Sequence, residues 1–162
     1  MSEKPTLDYL AAKTAQKIAS VIGVKVKNDK KVEASDLETL ATKALGVLQS
    51  QGVYALALFL FSRSGKETDP SRMKSEERVA TQLLSWLWFL RNPIQALSSL
   101  QQKNNEFKSD KSCEKINNDN EKKKMLEAFA ELSKDLDTLL LVRDLYEQTL
   151  IYARYHAKAL GG

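Results

Sequence analysis

Apolar residues recur along this chain at three- and four-residue intervals, interrupted by a few glycines, prolines and polar stretches. Thr6 precedes a stripe of Leu7, Leu10, Ala11, Thr14, Ile18 and Val21, which predicts a first amphipathic helix capped by Thr6 and ending at Gly23. Val24 to Val32 is a lysine-rich link, with Lys25, Lys27, Lys30 and Lys31 against Asp29. Val24-Lys-Val-Lys alternates like a strand, but no partner strand is evident elsewhere, so it reads as a loop. Ser35-Asp-Leu-Glu38 has the form of a capping box and starts a second helix along Leu37, Leu40, Ala41, Ala44, Leu45 and Leu48.

After a break at Gly52, the run from Val53 to Phe61 has no polar face, and polarity returns only at Ser62-Arg63. Such a helix is expected inside a core or an interface, as the buried centre of the fold. Ser64 to Lys74 is a polar connection. Ser75-Glu-Glu then opens a helix through Leu83, Leu84, Leu87 and Trp88, and Asn92-Pro93 ends it. Pro93 can begin another helix with Ile94, Leu97 and Leu100 on one face. The stretch 101–120 is polar, with Phe107 and Ile116 as its only apolar anchors, and reads as an exposed, mobile loop. Periodicity resumes at Glu121 and runs to Leu160, with a break near Ser133 that suggests two helices. The expected fold is all-α: a single-domain bundle over residues 1–162, of about six or seven helices around a buried central helix.

Composition narrows the function. The chain has 162 residues, 43% apolar and 28% charged, with one cysteine and one histidine. Cys113 alone permits no intramolecular disulfide, the Met1-Ser-Glu-Lys-Pro start has no signal-peptide pattern, and no run is long and apolar enough to span a membrane. A cytoplasmic protein is the expectation. The net charge of +4 is mild, and its excess lies in residues 1–100, where 14 basic side chains meet 10 acidic ones. That suits a shaped basic surface rather than indiscriminate binding of nucleic acid.

Catalytic chemistry is not apparent. His156 and Cys113 fall in different elements, no metal-ligand spacing is present, and no glycine-rich phosphate loop occurs. No enzyme activity, metal or cofactor is expected. Glu76-Glu77 and Asp135-x-Asp137 could hold a cation or do acid–base work, but helix-start charge on a solvated face is the better account of both. Cys113 reads as an inert thiol. His156 reads as a half-buried structural residue or, beside Arg154 and Lys158, as a hydrogen-bond donor to phosphate. Trp86 and Trp88 lie on opposite sides of one helix, so at least one is expected to face away from the main core, packing against a neighbouring helix or subunit rather than serving as a stacking platform for bases. Lys13 and Lys17 share a face of the first helix, and Arg154 and Lys158 share a face of the last. If these terminal helices pack side by side, the two pairs would form a modest positive groove suited to a nucleic-acid backbone.

The block 48–63 (a polar residue, Gly52, an apolar residue, an Ala-Leu-Phe-rich run and Ser62 before Arg63) resembles the small all-helical subunit of the type III-B (Cmr) CRISPR effector complex. Ala80 to Leu90, an apolar helix with a Trp near its end, is similar to a second block of that family. Leu132-Ser-Lys-Asp135 through Arg154-Tyr-His-Ala-Lys-Ala159 is similar to its last helix. The chain departs from the family pattern at Val24 to Lys31 and in the long stretch 101–120. The resemblance implies a non-catalytic scaffold subunit that stacks with copies of itself, contacts other subunits of the effector complex, and lines the path of guide and target RNA. It implies RNA-backbone contacts at Lys13, Lys17, Arg154 and Lys158, with Arg91 and Arg143 as further candidates. The alternative expectation is a helical adaptor acting only through protein–protein contacts, near Trp86 and Trp88.

Overall fold

The computed structural model describes residues 5–101, 107–109 and 111–161, and among these it contains eight α-helices and no strand longer than an isolated bridge. The helices are α1 (Leu7–Ala19), α2 (Ala34–Gln51), α3 (Val53–Ser64), α4 (Ser75–Leu90), α5 (Pro93–Gln101), α6 (Cys113–Ile116), α7 (Asp119–Glu131) and α8 (Leu136–Gly161). The all-α bundle expected from periodicity is what the chain forms.

Local sequence explains most of the boundaries. The Thr6 hydroxyl accepts from the Tyr9 N–H at 3.1 Å and caps α1. Gly52 sits at φ 96°, ψ −172°, a region open essentially to glycine alone, and there α2 ends and α3 begins. The break near Ser133 is a 3₁₀ turn over Leu132–Lys134, and the Asp135 carboxylate then accepts from the Thr138 hydroxyl at 2.6 Å as α8 starts. Thus 121–160 is two helices. One cap differs from expectation. Helix α2 begins at Ala34, and the capping box is Glu33 with Asp36 rather than Ser35 with Glu38, because Asp36 is the side chain that reaches back to the Glu33 N–H, at 3.0 Å.

Contacts at the helix ends fix the directions. At the C-terminus of α8, a Cβ added to Gly161 would stand 2.9 Å from the Ala34 side chain, while Arg143 reaches the Gln49 carbonyl at the other end of α2. Helices α2 and α8 are therefore antiparallel. The Gly23 N–H donates to the Val32 carbonyl, returning the chain after α1 to the start of α2, so α1 runs parallel to α8. Ser75 donates to the Asp36 carboxylate, which places the start of α4 at this same end. Helix α8 packs against both α1 and α2.

The central helix is α4, not the run 53–62. From Val79 to Leu90 only Gln82 and Phe89 escape full burial. Helix α3 lies at the edge: Val53, Leu56, Ala57, Leu60 and Phe61 pack inward, while Tyr54 and Leu58 are 42% and 45% exposed. Helices α2, α4 and α7 cover one side of α3, and the other side remains open despite its apolar side chains. Both tryptophans are buried, contrary to the expectation from their spacing. Phe107 reaches Trp86 at 5.3 Å between ring centroids, and Phe129 of α7 meets Trp88 edge-on at 5.7 Å.

On α5, Ala96 is buried and Leu97 and Leu100 are half-buried, but Ile94 stands 77% exposed and leaves the expected stripe. The described part of the polar stretch 101–120 is more packed than an exposed loop. Residues 102–106 and 110 lie outside the described residues. Ile116 and Asn117 are buried, Lys111 pairs with Glu121 at 2.7 Å, and α7 already begins at Asp119. No described helix is long and apolar enough to cross a membrane.

Candidate nucleic-acid interface

The six basic residues singled out from the sequence fall into two groups. Arg91 and Arg143 are tied to helix ends. Arg91 donates to the Trp88 carbonyl at 2.7 Å and its guanidinium lies 3.6 Å from the Trp88 ring centroid. Arg143 donates to the Gln49 carbonyl at 3.0 Å. Carbonyls in the last turn of a helix lack intrahelical donors, and a cation there also meets the negative end of the helix dipole. Lys122 does the same for α3, donating to the Gly65 carbonyl at 2.7 Å, and burial pushes its ammonium pKa down.

The remaining four lie on α1 and α8. Lys17 is exposed, and Lys13 is half-buried with its ammonium 5.6 Å from the Tyr9 ring centroid. Arg154 is half-buried, with Nε enclosed and unpartnered among the described residues. Lys158 pairs with Glu38 of α2 at 3.9 Å. Helices α1 and α8 pack side by side, but of the two basic pairs the Lys158 ammonium is drawn toward Glu38 of α2. The Tyr152 hydroxyl of α8 donates to the Asp8 carboxylate of α1. Lys158, about a third of a turn away around the helix axis, looks toward α2.

Other candidate groups have structural partners. Glu76 pairs with Arg63 at 2.7 Å, and the Glu77 carboxylate accepts from the Lys74 N–H at 3.1 Å. No cluster of three or more metal-ligating side chains occurs among the described residues. His156 is half-buried. Burial pushes the Cys113 thiol above its ordinary value, which disfavours the reactive thiolate.

Sequence reasoning named the lysines of the link 24–32 but missed how they are arranged. Residues 24–32 form a tight hairpin, not a simple loop: Lys25 and Lys31 oppose each other in an antiparallel bridge. Val26 N–H donates to the Lys30 carbonyl at 2.7 Å and Val32 N–H to the Val24 carbonyl at 2.9 Å. The segment supplies its own partner strand, turning through Asn28 and Asp29 at φ 64° and 57°. The alternation Val24-Lys-Val-Lys was the available signal, since Val26 and Val32 are buried and the lysines are exposed.

Compared with known families, curated proteins and solved structures, the chain matches no family model, no curated protein and no solved structure.

Proposed function

We propose that this chain is a non-catalytic scaffold subunit of an RNA-guided type III-B CRISPR effector complex, working in the cytoplasm, stacking with copies of itself and lining the guide and target RNA. The three blocks that resemble the family's small subunit fall on α3, α4 and α8 of an all-helical bundle. The observation that carries the scaffold role is the outer side of α3, where Tyr54 and Leu58, one turn apart, are 42% and 45% exposed. Exposed apolar pairs of this kind suit a subunit that packs against neighbours. Leu136 and Leu140, also one turn apart at the start of α8, are 64% and 48% exposed and add a second such pair.

The RNA role rests on the basic surface, including Lys13, Lys17, Arg154 and Lys158. The isolated protein is expected to bind single-stranded RNA without sequence preference, with affinity that falls steeply as salt rises. Absence of binding at low salt would overturn the RNA half of the proposal.

The same exposed apolar residues favour a second reading, a helical adaptor that meets only proteins. Its surface would lie at Tyr54 and Leu58, since Trp86 and Trp88 are buried. Self-association insensitive to salt, without RNA affinity, would select it.

A further inference from the structure

We propose that the hairpin 24–32 is a binding site for a nucleic-acid phosphate backbone. The proposal takes its ligand class from the RNA reading above but rests on a different part of the molecule from the terminal helices.

The hydrogen bonds flanking Lys25 and Lys31 make them a non-hydrogen-bonded antiparallel pair, the kind whose Cα atoms approach to about 4.5 Å. Their side chains leave the same face of the ladder. Like charges placed directly opposite each other destabilise a strand pair. None of Lys25, Lys27, Lys30, Lys31 and Lys74 forms an ion pair with a described residue. No ion pair among the described residues offsets this like-charge cost, and an anion would relieve it.

The hairpin is held in place before any ligand arrives. Val26 and Val32 are 4% and 1% exposed, and the Lys27 N–H donates to the Met73 carbonyl at 2.9 Å. Beneath it lies an open cleft of about 870 Å³, lined by Lys27, Lys30, Lys31 and Lys74 together with Glu33 and Asp36. Those two carboxylates form the capping box of α2, and Asp36 also accepts from Ser75, so their lone pairs are directed at backbone and hydroxyl donors. These donors are neutral, so both carboxylates keep their charge, and the cleft presents four exposed lysines against two carboxylates.

The chemistry favours a phosphate backbone over an acidic peptide. The hairpin's large apolar side chains, Val26 and Val32, are buried, and the cleft beside them is lined mainly by lysine, carboxylate and other polar side chains, a poor seat for a peptide's apolar anchors. What it presents is a row of point charges on flexible stems, which contact phosphates in any orientation and carry no sequence information.

The test uses the full chain and a fluorescein-labelled oligouridylate, with anisotropy followed across a salt series. Lys31→Glu places a carboxylate opposite Lys25, so it should hold or improve hairpin stability while removing positive charge from the site. Lys27→Glu/Lys30→Glu/Lys31→Glu should weaken binding by about tenfold or more at low salt. It should also make the salt dependence shallower, by about one unit of slope for each phosphate no longer neutralised. Lys31→Glu alone should move both in the same direction with a melting temperature equal to or above that of the wild type. If the wild type binds RNA and the hairpin variants bind equally well, the hairpin site is overturned and the RNA reading stands. If the wild type binds no RNA, both fall. If polyglutamate competes as effectively as RNA at equal charge, the nucleic-acid assignment is overturned.

Discussion

Arg143 of α8 donates to the Gln49 carbonyl in the last turn of α2, at 3.0 Å, just ahead of the Gly52 break. A side chain expected to serve a ligand instead closes a helix end from across the bundle. The hydrogen bond joins α8 to the point where α2 gives way to α3.

Arg143→Ala should therefore lower stability by about 1 kcal/mol, the loss of one charge-assisted hydrogen bond at a partly exposed site. Thermal melting should show a fall of roughly 2–4 °C, as for a domain of this size. RNA affinity should change less than in the hairpin variants. A large loss of affinity with an unchanged melting temperature would return Arg143 to the ligand-binding surface.

Gly52→Ala should be more damaging. At φ 96° and ψ −172° a side chain is strained even though an added Cβ would meet nothing within 4 Å. The expected cost is about 1–3 kcal/mol, read by denaturant unfolding. A neutral outcome would mean that the α2–α3 junction can rotate into an ordinary backbone conformation.

Acid sensitivity follows from three carboxylates. The Lys111 ammonium, hydrogen-bonded at 2.7 Å, holds Glu121 below its ordinary 4.5. The Ser71 hydroxyl and N–H hold Asp69, and the Thr138 hydroxyl holds Asp135, below their ordinary 3.8. A carboxyl whose folded value lies below its unfolded value contributes stability that is fully present above the unfolded value and lost as pH falls through the folded one. The melting temperature should hold from neutral pH to about 5 and then decline. Glu121→Gln should flatten part of that decline, and an unchanged acid profile would contradict the role given to the Lys111 pair.

Tyr54→Ser/Leu58→Ser tests the scaffold surface. Both side chains are about half exposed, so the helical signal and melting temperature should hold, whereas sedimentation should show weaker self-association. Association undiminished by the double substitution would move the stacking surface off α3.

Much of this fold was legible in the sequence because local chemistry decides it. Thr6, Gly52, Asn92-Pro93 and the break near Ser133 mark boundaries through caps, a positive φ and a missing N–H, all properties of a few adjacent residues. What depended on partners was not legible. An all-apolar run such as 53–61 has no intrinsic centre or edge, and only the packing of α2, α4 and α7 decides which side is left open. Trp86 and Trp88 are both buried because Phe107 and Phe129 arrive from distant parts of the chain. The basic pairs on α1 and α8 were visible as spacing, but the Glu38 partner of Lys158 and the helix-end roles of Arg91 and Arg143 needed the tertiary structure. The hairpin lysines were in view as a charge run, and their opposition across a bridge was not.

The most direct measurement is to recover the tagged full chain from its own cells at low salt and identify what accompanies it. The expected result is short RNA transcribed from a CRISPR array, together with other subunits of an effector complex. Recovery of the chain with protein partners but no RNA, or as a free monomer, would contradict the proposed role.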